Sequence, residues 1–170
     1  MKIKTIFLSI VLVLLSTNVF AQKQDAAAVV QSFYKFHLSH EGIFNKREVS
    51  RRYRFFTPRL RQLFNAELKR QRNYQKKYPD NKPYFDVLPF QPIEFCEKDY
   101  RVGAVQTARQ TASVRVNFVY GKSSCDANDG TRISYRILLL KTSGKWLIND
   151  VVYDNGSTLT KDFGNAQKVK

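Results

Sequence analysis

The sequence predicts an α+β domain in which N-terminal helices pack on one face of a curved antiparallel β-sheet. Before about residue 85, apolar residues recur every three or four positions, as in amphipathic helices; later in the chain they alternate with polar residues, as in strands. The chain has 170 residues, which suits one domain, and its 14% of aromatic residues is too high for a disordered protein.

Residues 1–21 have the layout of a secretory signal peptide. Two early lysines precede an apolar core, and Ala21 stands where a signal peptidase cuts. The core is about half the roughly 20 apolar residues that a membrane-spanning helix needs. No Cys follows the cleavage position, which argues against a lipid anchor. We therefore expect residues 22–170 to form a single exported domain, periplasmic or secreted, without a membrane span.

Export places the two cysteines in an oxidising compartment, where paired thiols persist as disulfides. A bond between Cys96 and Cys125 would close a loop of about 30 residues and add roughly 3–4 kcal/mol to stability. Two free thiols are the alternative.

Three helices are predicted in the first half of the mature chain. Asp25 can cap the first, which is expected to end near Gly42. A short second helix fits residues 47–56. The pair Thr57-Pro58 then predicts the N-cap and first turn of the third helix.

Strands are predicted after a loop at residues 78–92, where four prolines prevent helix formation. Alternating apolar residues indicate one strand over 113–120 and another over 133–139. A turn at 142–145 leads into the last strand, 146–153.

Four short motifs carry a resemblance to a known family. They are Phe33-Tyr34 in the first helix, Thr57-Pro58-x-Leu60-x-x-Leu63, Pro83-Tyr84-Phe85-Asp86-x-x-Pro89-Phe90, and Gly144-Lys145-Trp146-x-Ile148-x-Asp150-Val151. Through these motifs the chain resembles the exported bacterial family known as domain of unknown function 3828. The resemblance covers most of residues 25–165. The resemblance implies the cone-shaped α+β fold shared with nuclear transport factor 2 and ketosteroid isomerase. That family has no agreed function, so the resemblance implies no catalytic residue.

The charge of the chain is concentrated in one segment. The formal net charge is +15, and removal of the two signal-peptide lysines leaves +13. Residues 46–77 hold twelve Lys or Arg and two acids, which accounts for +10 of that charge. The predicted basic patch consists of Arg51, Arg52, Arg54, Arg59, Arg61, Lys69, Arg70 and Arg72.

Such a patch suits an acidic protein, an anionic envelope polymer or lipid headgroups. Export argues against nucleic acid as the partner, although the interleaved aromatic residues would suit it. The alternative is a solvated helix surface whose aromatic residues belong to the core.

A pocket is the second candidate site. Its predicted lining residues are Phe33, Tyr34, His37 and Trp146, which could hold a small ligand or a peptide. The leading hypothesis is therefore a non-catalytic binding module that uses either this pocket or the basic patch.

Asp150 is the one candidate catalytic residue. It shares strand parity with Trp146 and Ile148, so we expect it to face the helix-covered side of the sheet. A buried carboxylate there could act as the general base of an isomerase or hydratase, with Tyr34 or His37 as a donor. Alternatively, Asp150 accepts hydrogen bonds from Tyr34, an arginine or backbone amides and holds the strand end to a helix.

No metal or cofactor is predicted. His37 and His40, with Glu41 beside them, could place two ligands on one helical face, but no further ligand stands at a recognisable spacing. A packed or capping pair of histidines is the expected arrangement. The sequence also lacks a Gly-rich phosphate loop, a nucleophile elbow and a pair of carboxylates at catalytic spacing.

Overall fold

A computed structural model of the chain describes residues 26–40, 42–83, 85–92, 100–119 and 132–166. The predicted signal segment and both members of the predicted disulfide, Cys96 and Cys125, lie outside the described residues.

Three helices come first, as predicted. Helix α1 covers residues 26–39, and α2 covers Lys46–Arg52 and runs into a 3-10 turn at Tyr53–Phe55. Helix α3 covers Pro58–Lys77 and is the longest described helix.

Side-chain caps set the starts of α2 and α3. The hydroxyl of Thr57 accepts a hydrogen bond from the Leu60 amide at 3.2 Å, and Pro58 occupies the first turn, so the predicted start of α3 is confirmed. At α2, the side chain of Asn45 accepts from the Glu48 amide at 2.9 Å. Each cap satisfies a backbone donor that has no partner within its own helix.

The strands form one antiparallel sheet in the order β1-β2-β3-β4. Their bounds are Tyr100–Ala108, Thr111–Val119, Arg132–Thr142 and Lys145–Val152. The last three confirm the predicted strands.

Two elements were not predicted. Strand β1 carries a bulge between Val102 and Val105, which interrupts the alternation that marks a strand in a sequence. Helix α4, Leu159–Ala166, is short, and its buried anchors Leu159 and Phe163 are too few to show a helical period.

The core lies between the helices and one face of the sheet, which confirms the α+β class. Buried aromatic rings fill much of it: Phe33, Tyr34, Phe44, Phe56, Phe64, Phe90, Phe118 and Phe163. The start of α3 is fastened to the sheet, because Phe56 forms a parallel bridge with Ile148 and the Thr57 amide donates to the Ile148 carbonyl at 2.9 Å. Within the described residues, no helix has the length and apolar character needed to cross a bilayer.

Candidate functional site

Three of the four predicted pocket residues are packed in the core. Phe33 and Tyr34 are fully buried, and His37 is 2% exposed. The Phe33 ring stacks on the His37 ring with centroids 5.6 Å apart, and Phe90 meets both rings edge-on. The Tyr34 hydroxyl donates to the Phe90 carbonyl at 2.8 Å. These contacts hold the rings together, and none of the three residues borders the two surface grooves described for the structure.

Trp146 does border a groove. This open groove of about 500 Å³ lies among α1, the 3-10 turn and the β3–β4 hairpin. Its lining residues are Ala28, Val29, Ser32, Arg54, Phe55, Gly144, Lys145, Trp146 and Leu147. The indole Nε1 of Trp146 is buried and has no hydrogen-bond partner among the described residues. The structure therefore does not bring Trp146 to the other three predicted pocket residues.

Arg52 does not belong to an exposed basic patch, because its side chain is fully buried. Its Nε donates to Nδ1 of His37 at 3.0 Å, and one terminal nitrogen donates to the carbonyl and carboxylate of Glu48. The other terminal nitrogen donates to the carbonyls of His37 and His40, at the end of α1. A cation at a helix C-terminus satisfies carbonyls that lack helical partners and is favoured by the helix dipole. Arg52 is thus a structural residue.

The same cluster controls the charge of His37. Burial, helped by the nearby Arg52 cation, lowers the pKa of His37 to about 3. Because Arg52 donates to Nδ1, the ring proton of the neutral form sits on Nε2, which has no hydrogen-bond partner among the described residues. Burial raises the pKa of Glu48, but hydrogen bonds from Arg52 and Arg51 outweigh it and lower that pKa overall.

Asp150 lies next to a bulge in strand β4. In the β3–β4 register, Ile148 pairs with Leu139 and Asp150 pairs with Leu138, so Asn149 is an extra residue in β4. Across this bulge, burial in β4 still alternates through Trp146, Ile148 and Asp150. The predicted burial of Asp150 is confirmed, since the residue is 9% exposed.

The contacts of Asp150 are those of a capping residue. Its Oδ1 accepts from the Val151 amide at 2.9 Å and from the Thr160 amide, in the first turn of α4, at 3.1 Å. It therefore holds the end of β4 to α4, as the structural alternative predicts. No described hydrogen bond joins Asp150 to Tyr34 or His37, the donors that the isomerase hypothesis requires.

The histidines show no arrangement for a metal. His37 is occupied by Arg52, and the His40 ring stacks on Phe36 with centroids 4.3 Å apart. Within the described residues, which leave out Glu41, no group of three potential ligands is close enough to hold an ion.

Four other members of the predicted patch make contacts within the fold. Arg51 pairs with Glu48 at 3.2 Å, and Arg61 donates to the Phe56 carbonyl at 2.9 Å. The guanidinium of Arg54 lies 4.4 Å from the centre of the Phe36 ring, within the range of a cation–π contact. Arg70 makes a two-pronged ion pair with Glu67, whose side chain is fully buried. These four arginines therefore already interact with groups of the same chain.

One face of α3 keeps its cations unpaired. At 100° per residue, Lys69, Arg72 and Lys76 fall within about 60° of one another around the helix, on the side opposite the buried Phe64 and Gln71. Arg59 and Lys77 are also exposed, and at the same angular spacing they lie about 80° further around the helix than Lys69. We call these five cations the α3 basic face: Arg59, Lys69, Arg72, Lys76 and Lys77. None of them forms an ion pair with a described residue, and the one acid of α3, Glu67, is buried against Arg70.

A second basic feature was not predicted. Arg115 of β2 and Arg136 of β3 are directly opposite each other, and both are exposed. The alternation in each strand places them on the solvent side of the sheet. Their proximity depends on strand register, which the sequence alone does not reveal.

Comparison with known proteins assigns no family. A scan of family models finds no match to the chain, and a search of curated proteins likewise finds none.

Proposed function

We propose that the protein is an exported, non-catalytic binding module that docks an acidic partner on the α3 basic face. The observation that carries the proposal is the group of exposed cations on α3 with no exposed acid among them. A solvated helix usually mixes charges of both signs, because pairs at i, i+4 stabilise it and like charges do not. On α3 the repulsion between cations is left uncompensated among the described residues, and an acidic partner would supply the missing charges.

The dimensions of this face suit an extended anionic chain. Arg59 and Lys77 are 18 residues apart, which corresponds to about 27 Å along a helix. That length exceeds the Debye length of about 8 Å at physiological salt, so a partner must contact several cations directly to gain from all of them. An acidic protein segment or an anionic envelope polymer has this form, whereas a small ligand does not.

The other candidate functions have less support. The pocket hypothesis requires Phe33 and Tyr34 to line an open pocket, but both residues are fully buried in the core. The isomerase or hydratase hypothesis needs a free carboxylate beside a donor, and Asp150 instead accepts two backbone hydrogen bonds at the start of α4. Membership of the family known as domain of unknown function 3828, its cone-shaped fold and export to the periplasm or beyond also stand as proposals.

Retention on immobilised poly-L-glutamate tests the proposal. The variant Lys69→Glu, Arg72→Glu, Lys76→Glu reverses the centre of the α3 basic face. The control variant Lys35→Glu, Arg109→Glu, Lys161→Glu has the same net charge, but its changes fall at exposed positions on α1, the β1–β2 turn and α4. Circular dichroism shows whether both variants remain folded.

We expect the control to elute at nearly the salt concentration of the wild type and the face variant to elute much earlier. Binding through clustered charges depends on their local arrangement and weakens steeply with salt. Equal loss of retention in the two variants would show that net charge alone causes binding, and would refute a docking face on α3.

A further inference from the structure

Two arginines on the solvent side of the sheet form a like-charge pair that the fold does not compensate. Arg115 and Arg136 are cross-strand partners, and both side chains are exposed. Directly opposite residues have Cβ atoms about 4.5–5.5 Å apart, and like charges at such positions destabilise a sheet. Neither arginine forms an ion pair with a described residue.

The next row of the sheet adds further donors on the same side. Arg101 pairs with Asn117, and Asn117 pairs with Ser134. The Ser134 hydroxyl donates to Asn117 Oδ1 at 2.6 Å, which leaves the Nδ2 group turned away from that bond.

A glycine lets this amide lie close to the backbone of β1. Gly103 lies at the β1 bulge, and a Cβ atom there would come within 3.2 Å of Asn117 Nδ2 and 3.8 Å of Arg115 Cβ. By strand register, three exposed arginines and the Asn117 amide therefore lie near one another on this side of the sheet, and none of the three arginines forms an ion pair with a described residue.

We propose that this arginine cluster, Arg101, Arg115 and Arg136 with Asn117, binds a phosphate group. Guanidinium groups present paired N–H donors that match the oxygens of phosphate, and charge-assisted bonds of this kind are about twice as strong as neutral ones. A bound dianion would also remove the repulsion between Arg115 and Arg136. The phosphate can belong to a free anion or to the headgroup of an anionic lipid, since both present the same oxygens. This site is separate from the α3 basic face and does not depend on it.

The first test is titration of the mature protein with inorganic phosphate at constant ionic strength, followed by thermal unfolding. A ligand that binds only the folded state raises the Tm as its concentration increases. We expect this rise in the wild type and in Lys69→Glu, Arg72→Glu, Lys76→Glu, but not in Arg136→Gln. In chloride buffer, Arg136→Gln should unfold at a higher temperature than the wild type, because the like-charge contact is gone. The matched control, Arg109→Gln, removes an exposed arginine from the β1–β2 turn and should keep the phosphate response.

Calorimetric titration measures the affinity directly. Loss of one arginine should weaken phosphate binding about tenfold or more, since the charge-assisted hydrogen bonds of that guanidinium are lost. Co-sedimentation with phosphatidylglycerol vesicles, with phosphatidylcholine vesicles as reference, distinguishes the two sources. If the wild type binds phosphatidylglycerol vesicles and Arg136→Gln does not, the site binds a lipid headgroup. If the wild type and Arg136→Gln bind these vesicles equally, the site binds a free phosphate. No rise in Tm for the wild type, or an unchanged rise in Arg136→Gln, would overturn the proposal.

Discussion

The guanidinium of Arg52 donates from Nε to Nδ1 of His37 at 3.0 Å, and so joins the C-terminal ends of α1 and α2. The same group reaches the last carbonyls of α1 and the carboxylate of Glu48. Every N–H of this side chain thus has an acceptor within reach, which is the condition under which a protein tolerates a buried arginine. One side chain of α2 therefore completes the end of α1.

Replacement of Arg52 should destabilise the fold strongly. In Arg52→Met the His40 carbonyl loses its Arg52 donor, and Glu48 keeps only its more exposed partners, Arg51 and Arg47. We expect the free energy of unfolding to fall by about 3–5 kcal/mol, as when one partner of a buried ion pair is removed. Urea unfolding measures this change. The control variant is Arg51→Met, at the neighbouring exposed residue. If Arg52→Met lowers the free energy of unfolding no more than Arg51→Met does, the structural role of Arg52 is contradicted.

The stability of the protein should decrease in mild acid because of His37. The unfolded state binds a proton on this histidine near pH 6.5, but the folded state binds it only near pH 3. Between these values the unfolded state holds more protons, so stability is fully present above pH 6.5 and is lost as the pH falls. From pH 7.5 to pH 5 the wild type should lose about 2 kcal/mol through this group.

The lowered pKa of Glu48 acts in the same direction, since its contribution is present above its ordinary pKa of 4.5 and decreases below it. The variant His37→Asn keeps an acceptor near Arg52 but does not titrate. Its unfolding free energy, measured by urea at both pH values, should change by less than that of the wild type. Parallel pH profiles would show that His37 is not the titrating group.

Asp150→Ala should loosen the junction between β4 and α4. The Val151 and Thr160 amides lose their acceptor, and removal of a helix-capping side chain costs about 1–2 kcal/mol. Amide hydrogen exchange should accelerate at Thr160 before it changes in the strands. Asp154→Ala, at an exposed position in the following turn, is the control. If amide hydrogen exchange in both variants is as slow as in the wild type, Asp150 does not stabilise the start of α4.

Intact-mass measurement tests the two predictions that lie outside the described residues. The mature protein should begin at Gln22, after removal of residues 1–21. A bond between Cys96 and Cys125 makes the non-reduced protein about two mass units lighter than the reduced one. A chain that retains Met1, or that shows two thiols reactive with an alkylating reagent, would contradict these predictions.

Local patterns predict much of this fold. Helices α1, α2 and α3 and strands β2, β3 and β4 follow from periodicity and from signals such as Thr57-Pro58, because these depend on neighbours in the sequence. Strand β1 and α4 escape prediction, since a bulge interrupts one and the other has few apolar anchors.

The candidate sites depend on features that a single sequence does not display. Periodicity treats every arginine of residues 46–77 as a surface residue, yet the acceptors that bury Arg52 come mainly from another helix. The pairing of β4 with β3 shifts at one extra residue, Asn149, and the sequence pattern gives no sign of it. Arg115 and Arg136 are 21 positions apart and meet only through the β2–β3 register.

Chemical-shift mapping with soluble poly-L-glutamate tests the docking proposal most directly. In backbone amide NMR spectra of the mature protein, the largest shifts should fall in α3, around Lys69, Arg72 and Lys76, and should diminish as sodium chloride is added. Small shifts are expected in the other described elements. Shifts of similar size at exposed cations throughout the domain, or shifts concentrated outside α3, would contradict a partner-docking face on this helix.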